Sequence, residues 1–333
     1  MTKILVLGGT DFAGRAVAEA AVARGWEVTV FHRGSGPAPE GVAALHGDRL
    51  ADGGLKELAE AADDWDAVID TWSAAPRVVR DSARLLKERV RRYVYVSSIS
   101  VHTWPIPAGH DESAPVVDGD PDADTTDYAA DKRGAELAVL REFGEERSVL
   151  GRAGLILGPY ENVGRLPWWL GRMARGGPVL APGPRELPLS LIDVRDMAEW
   201  LLDAAVRDDV SGAYNLVSPK GHTTTEEFLD AVVRTSGAPD VELRWLTPEQ
   251  IEAAGIGAWV ELPVWTPPGE MHDAMHDADV SRALAAGLRC RPVAETVADT
   301  WAWLESVGGT APRRSDRNAK GLDPAKEAAA LGL

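Results

Sequence analysis

The chain has 333 residues, 45% of them apolar, enough for one large domain or two smaller ones, which excludes global disorder. A formal net charge of −17 repels phosphate backbones and anionic membrane surfaces, so neither nucleic acid nor membrane is the expected partner. The single cysteine, Cys290, forbids an internal disulfide and suits a reducing compartment; a lone Cys is more often a small buried apolar residue than a nucleophile.

The apolar stretch Ile4–Leu7 runs at once into glycines, too short for a signal core or a membrane span, and the expected location is cytoplasmic. From there strands and helices alternate. Strands are predicted over 3–7, 27–31, 42–46, 67–71, 93–97 and 148–152, and helices over 12–24, 55–61, 77–88 and 127–143. Apolar runs of this length between helices indicate strands buried on both faces, hence a parallel sheet with right-handed crossovers. Beyond about residue 155 Gly and Pro become dense, as in GPYENVGRLP and GGPVLAPGPRELP. A smaller mixed α/β lobe is expected over 156–310, with 190–218 rejoining the sheet through a helix at 193–206. Further helices are predicted at 226–236 and 293–306. The tail 311–333 reads as polar, then helix-prone, and mobile.

Two motifs carry chemistry. In KILVLGGTDFAG, Gly8, Gly9 and Gly14 bracket a strand-to-helix turn. Glycine there lets the backbone approach a pyrophosphate, which the N–H groups opening the helix then bind. Thr10 and Phe12 are expected to flank that contact. Asp11 stands where the usual fingerprint has its middle glycine. Its carboxylate is placed to cap the helix and to repel the pyrophosphate. The second strand ends in Phe31-His32-Arg33, without the acid that binds an NAD ribose. Arg33 offers a fork for a 2′-phosphate, favouring NADP(H) over NAD(H), or else is a solvated turn residue. Asp48 is placed to accept from the adenine amino group or to bond its own backbone, and Arg49 to stack on the adenine.

The second motif is VYVSSIS followed by Tyr128-Ala-Ala-Asp-Lys132. Tyr128 and Lys132, four apart on a helix, share a face. A free phenol, with a pKa near ~10, is a poor base at neutral pH, and a nearby ammonium favours the phenolate. Ser98 is expected to donate to a substrate oxygen. Tyr128 moves that oxygen's proton, Lys132 holds the nicotinamide ribose, and a hydride passes at the adjacent carbon.

With GGTDFAG, GDRLAD, VYVSSISV, YAADK, GRAGLILGP, LIDVRDMAEWL and GLRCRPVAETVADTWAWLES, the chain resembles the extended short-chain dehydrogenase/reductase superfamily, often called the NAD-dependent epimerase/dehydratase family, in its GGTxFxG subgroup. The resemblance covers nearly the whole chain. It implies a Rossmann-type, doubly wound α/β sheet at 1–155 with a smaller C-terminal substrate lobe. It puts the Ser/Thr, Tyr and Lys of the site at Ser98, Tyr128 and Lys132, and further cofactor contacts at Thr71, Trp72 and Ser73. Many similar proteins pair two subunits through the helices at 77–88 and 127–143, so a monomer or homodimer is expected.

The pattern breaks in places. Ile99 and Ser100 replace the acid pair of sugar-nucleotide 4,6-dehydratases. Leu155 and Leu189 stand where sugar-nucleotide enzymes carry an Asn and an Arg, although Arg185 is near. His102, Trp104, Trp168 and Trp169 are expected to line the substrate site instead, suiting a ring-bearing or hydrophobic ketone or alcohol. Trp168 and Trp169 have the alternative of simply packing the lobe. His110, Asp111 and Glu112 read as a solvated loop or an additional acid/base.

Three functions follow. The first is an NADP(H)-dependent reductase or dehydrogenase acting on a small-molecule carbonyl/alcohol pair. The second is an epimerase that oxidises transiently and returns the hydride. The third is a nucleotide-sensing or RNA-associated protein, which the retained Tyr128 and Lys132 and the −17 charge disfavour. No metal is expected.

Overall fold

Alternating apolar strands and Ala- and Leu-rich helices build a seven-stranded sheet in the computed structural model, which describes residues 1–34, 36–62, 64–314 and 320–333. The first half runs β1 (Lys3–Leu7), α1 (Phe12–Ala23), β2 (Glu27–His32), β3 (Ala43–His46), α2 (Lys56–Glu60), β4 (Trp65–Asp70), α3 (Pro76–Leu86), β5 (Val90–Ser98), α4 (Tyr128–Phe143) and β6 (Ser148–Ala153). The second half runs β7 (Ile156–Leu157), α5 (Leu166–Ala174), β8 (Pro178–Pro182), β9 (Pro188–Leu189), β10 (Ile192–Asp193), α6 (Val194–Val206), β11 (Gly212–Leu216), β12 (Thr223–Thr224), α7 (Thr225–Ser236), β13 (Glu242–Leu246), α8 (Pro248–Ala253), α9 (Glu270–His276), α10 (Ser281–Ala285), α11 (Val293–Ser306) and α12 (Pro324–Leu331).

The sheet order is β11-β6-β5-β4-β1-β2-β3, every pairing parallel. This is a doubly wound Rossmann-like α/β fold. Strand order reverses between β1 and β4, and their carboxyl ends open the crevice where such sheets take ligands. Alternation along β1 sends Ile4 and Val6 into a core with Val17, Ala21 and Leu201 of α1 and α6. Leu5 and Leu7 enter a second core with Tyr93, Tyr95, Val79 and Ala135, under α3 and α4.

A separate apolar cluster holds α5, β8, α7 and α11 together through Trp169, Leu170, Leu180, Phe228, Val232 and Val297. β8 pairs in parallel with β13, β9 antiparallel with β12, and β7 in parallel with β10. After β10, helix α6 carries the chain back to the sheet, where β11 adds an edge strand beside β6.

Of the tail expected over 311–333, residues 315–319 lie outside the described residues, and 320–333 pack against the lobe. Asp323 caps α12 by accepting from the Ala325 and Lys326 amides. Glu327 of α12 is buried, accepting from Arg172 Nε at 2.7 Å and from the Leu180 amide at 3.0 Å. Lys326 pairs with Glu261, and the backbone at Gly321 lies against Trp168 so closely that a Cβ would fall 1.9 Å from the indole nitrogen. Removing one partner of a buried ion pair costs about 3–5 kcal/mol. Glu327→Ala should therefore undock α12, read as faster amide exchange over 320–333; exchange as slow as in the parent chain would contradict this.

Candidate active site

Beyond β1 the chain turns through Gly8 (φ 117°) and Gly9 (φ 90°) into α1. A Cβ on Gly9 would lie 2.6 Å from Val30, and one on Gly14 only 2.5 Å from the Gly9 nitrogen. The turn thus folds flat onto the first turn of α1, as only glycines permit. Thr71 closes the other side, its hydroxyl donating to Leu7 O at 3.2 Å. Thr10 and Phe12 are half-buried in this turn. Asp11 precedes the helix and is exposed, but its side chain makes no cap bond, correcting that expectation. The α1 amides are therefore not occupied by Asp11, and the cradle fits a pyrophosphate.

Arg33 follows β2, exposed, with no hydrogen bond or ion pair among the described residues. His32 beneath it is buried, accepts from the Gly34 amide at 3.2 Å and packs on His46. Asp48 takes the local alternative, its Oδ1 accepting from the Leu50 amide at 3.0 Å. Arg49 does not present itself to an adenine. Its guanidinium forks onto Asp70 at 2.7 and 2.8 Å, donates to Val78 O and stacks on Trp72. Asp70 is fully buried and also accepts from Tyr93 OH at 2.6 Å and from the Trp72 amide. Burial alone would raise the Asp70 carboxyl; Arg49 outweighs it and holds it below the usual range. Ser73 is half-buried beside Trp72.

The catalytic candidates converge at the carboxyl edge of β4 and β5. Ser98 ends β5, its Oγ 3.1 Å from both the Ser100 amide and the Ser100 hydroxyl. Asp127 starts α4 by accepting from the Ala129 and Ala130 amides, and buried Asp131 ties back to Thr126. Tyr128 is thereby the first helical residue and stays 43% exposed. Lys132, one turn on, is 3% exposed. Its ammonium donates to Trp72 O at 2.8 Å and Val96 O at 2.6 Å and lies 4.7 Å from the Tyr95 ring centre. Tyr95 OH donates to the same Trp72 carbonyl at 2.9 Å.

The expected substrate residues divide. Trp104 is exposed on the loop after β5, and Trp168 is half-buried behind Gly321. Trp169 is corrected to core: it is 1% exposed and its indole donates to Pro263 O at 2.7 Å. Leu155 is likewise buried in the cluster around α5. His102 is not a free pocket wall, since it is buried edge-on against His110, with ring centres 4.9 Å apart. Glu112 is no solvated acid; it accepts from the Asn215 amide at 2.7 Å. Asp111 accepts from Ser113. Arg185 pairs with Glu226 and stacks on Trp245. The Cys290 thiol is pushed up to about 11 by burial and then by Asp196, so it is no thiolate at neutral pH. No group of residues suited to hold a metal ion occurs among the described residues. No helix among them is long and apolar enough to cross a membrane.

Sequence reasoning missed the groups that hold the site: Asp70, Tyr93, Tyr95, Ser97, Glu136 and Arg152. Charged residues within otherwise apolar strands, such as Asp70 and Arg152, were the available signal, since buried charges occur paired.

A family model described as the NAD dependent epimerase/dehydratase family matches residues 4–216. The chain belongs to this family. The Bos taurus epimerase family protein SDR39U1 is 28% identical over 257 residues, covering 71% of this chain and 81% of that protein. The Arabidopsis thaliana chloroplast stem-loop binding protein of 41 kDa b is 24% identical over 265 residues, covering 75% and 67%. Among solved structures, the Bordetella bronchiseptica enzyme WbmG in complex with NAD and UDP superposes with a TM-score of 0.66 at 18% identity, over 93% of this chain and 96% of WbmG.

Burial is the largest cause lowering the pKa of His32, His102, His110 and His276, the last to about 4. An unfolded histidine takes its proton near pH ~6.5, so the unfolded state binds more protons below that pH and folding weakens. Buried Glu161, whose pKa burial raises, acts in the opposite sense, one group against four. The urea midpoint should therefore be lower at pH 5 than at pH 7.5; an equal or higher midpoint at pH 5 would contradict the neutral, buried imidazoles.

Proposed function

We propose that this member of the family is an oxidoreductase that interconverts a carbonyl and an alcohol with NADP(H). The observation that carries the reading is the convergence of the glycine turn, Ser98, Tyr128 and the Lys132 ammonium on one edge of the sheet. The glycine-lined start of α1, Thr71 and Lys132 would hold the dinucleotide, and Arg33 its 2′-phosphate. When bound, that cofactor supplies or takes up the hydride. Ser98 donates to the substrate oxygen and fixes its position. Tyr128 OH gives that oxygen a proton in reduction and takes it back in oxidation. The Lys132 ammonium, one helical turn away, favours the phenolate that remains. Trp104 offers an apolar wall for a ring-bearing or hydrophobic substrate.

A second reading, an epimerase, has the support of the family and of relatives named as epimerases. Against a nucleotide-sugar substrate stand Leu155 and Leu189, apolar and buried where the family's sugar-nucleotide enzymes place polar groups. The name of the chloroplast relative raises RNA binding; a net charge of −17 opposes it.

Tyr128→Phe should lower turnover by about 10²–10⁴-fold and leave dinucleotide affinity nearly intact, because only the proton-transfer group is lost. Retained turnover would mean that another residue moves the proton. Arg33→Ala should weaken NADP(H) by about tenfold to a hundredfold, the worth of a charge-assisted bond, with little effect on NAD(H). Equal losses for both would remove Arg33 as the selector. Native mass measurement of the purified protein separates reductase from epimerase: a reductase consumes added NADPH stoichiometrically, whereas an epimerase retains its nucleotide and turns over without any.

A further inference from the structure

Glu136 lies on the Lys132 face of α4, one helical turn further on, and is fully buried. Its Oε1 accepts from Ser97 Oγ at 2.7 Å and from Arg152 Nε at 2.9 Å. Its Oε2 accepts from Arg133 at 2.9 Å and from Arg152 at 3.1 Å. Ser97 is the neighbour of Ser98 on β5, and Arg152 stands opposite Ser97 on β6. The remaining arm of Arg152 donates to Glu112 O at 3.0 Å, on the loop between β5 and α4 that carries Trp104. One carboxylate thus joins the helix of Tyr128 and Lys132, the strand of Ser98 and the loop that follows it.

Buried ion pairs are weak stabilisers, since apolar groups of similar volume often do as well or better. A fully satisfied network, by contrast, holds one arrangement and resists others. We infer that Glu136 and Arg152 are positioning residues, which with Ser97 fix the register of α4 on β5 and so set Tyr128 against Ser98. This rests on the Ser98, Tyr128 and Lys132 reading. None of the three positioning residues need touch substrate.

The test is Ser97→Ala, which removes the strand-to-helix bond and leaves the Glu136–Arg152 pair in place. Small misplacements of reacting groups cost up to about 10²-fold. Turnover should fall by about tenfold to a hundredfold with NADPH affinity unchanged, and Ser97→Thr, which restores the hydroxyl, should recover most of it. Amide exchange over 129–136 should quicken about tenfold in Ser97→Ala and return in Ser97→Thr. A lowered melting temperature with full turnover and unchanged exchange would overturn the inference, leaving the cluster a structural one. The exchange readout needs no substrate. Faster exchange in Ser97→Ala alongside a parent chain that reduces no carbonyl would therefore refute the oxidoreductase reading and keep the positioning role.

Discussion

The site depends on one ammonium held between two strand ends. Lys132 reaches from α4 into the carboxyl edge of the sheet and donates to the carbonyls of Trp72, beyond β4, and Val96, in β5. Lysine is rarely buried without partners, because desolvating its charge is costly. Here the two carbonyls and the face of Tyr95 replace water. The same contacts pin the start of α4 to the crevice between β4 and β5. They leave Tyr128 at the first helical position, exposed, one turn nearer the solvent.

Around that contact the protein spends its buried charges on geometry. Arg49 and Asp70 lock the turn after β3 to the end of β4, and Trp72, whose carbonyl receives Lys132, bonds to Asp70 through its amide. Arg152 and Glu136 do the same between β6 and α4. Asp70 and Glu136 both have their carboxyls held low by an arginine despite full burial. Both pairs are buried. Arg33, Tyr128 and Trp104, by contrast, stay exposed.

Much of this was legible in the residues. Periodicity placed β1 and α11 to the residue and most other elements of the sheet within one to three, because strands buried on both faces must be continuous apolar runs. The glycine turn was legible because no other residue tolerates its angles and contacts. Side-chain partnership was not. Arg49 and Asp70 are 21 positions apart, and Glu136 and Arg152 are 16 apart. Only the sheet order makes them neighbours, so Arg49 looked available to adenine. Trp169, Leu155 and His102 read as pocket residues for the same reason: burial in the lobe depends on which loops fold over them. The docking of α12 rests on Glu327 meeting Arg172, 155 residues away, a contact no local pattern encodes.

A crystal structure grown with NADPH decides whether Tyr128 faces a nicotinamide seated at the β1–β4 crevice. Lys132 Nζ should lie within hydrogen-bonding reach of the nicotinamide ribose, and the Tyr128 hydroxyl one substrate atom away from the reactive ring carbon. A nicotinamide lying elsewhere, or a phenol turned from the ring beyond any substrate's span, would contradict it.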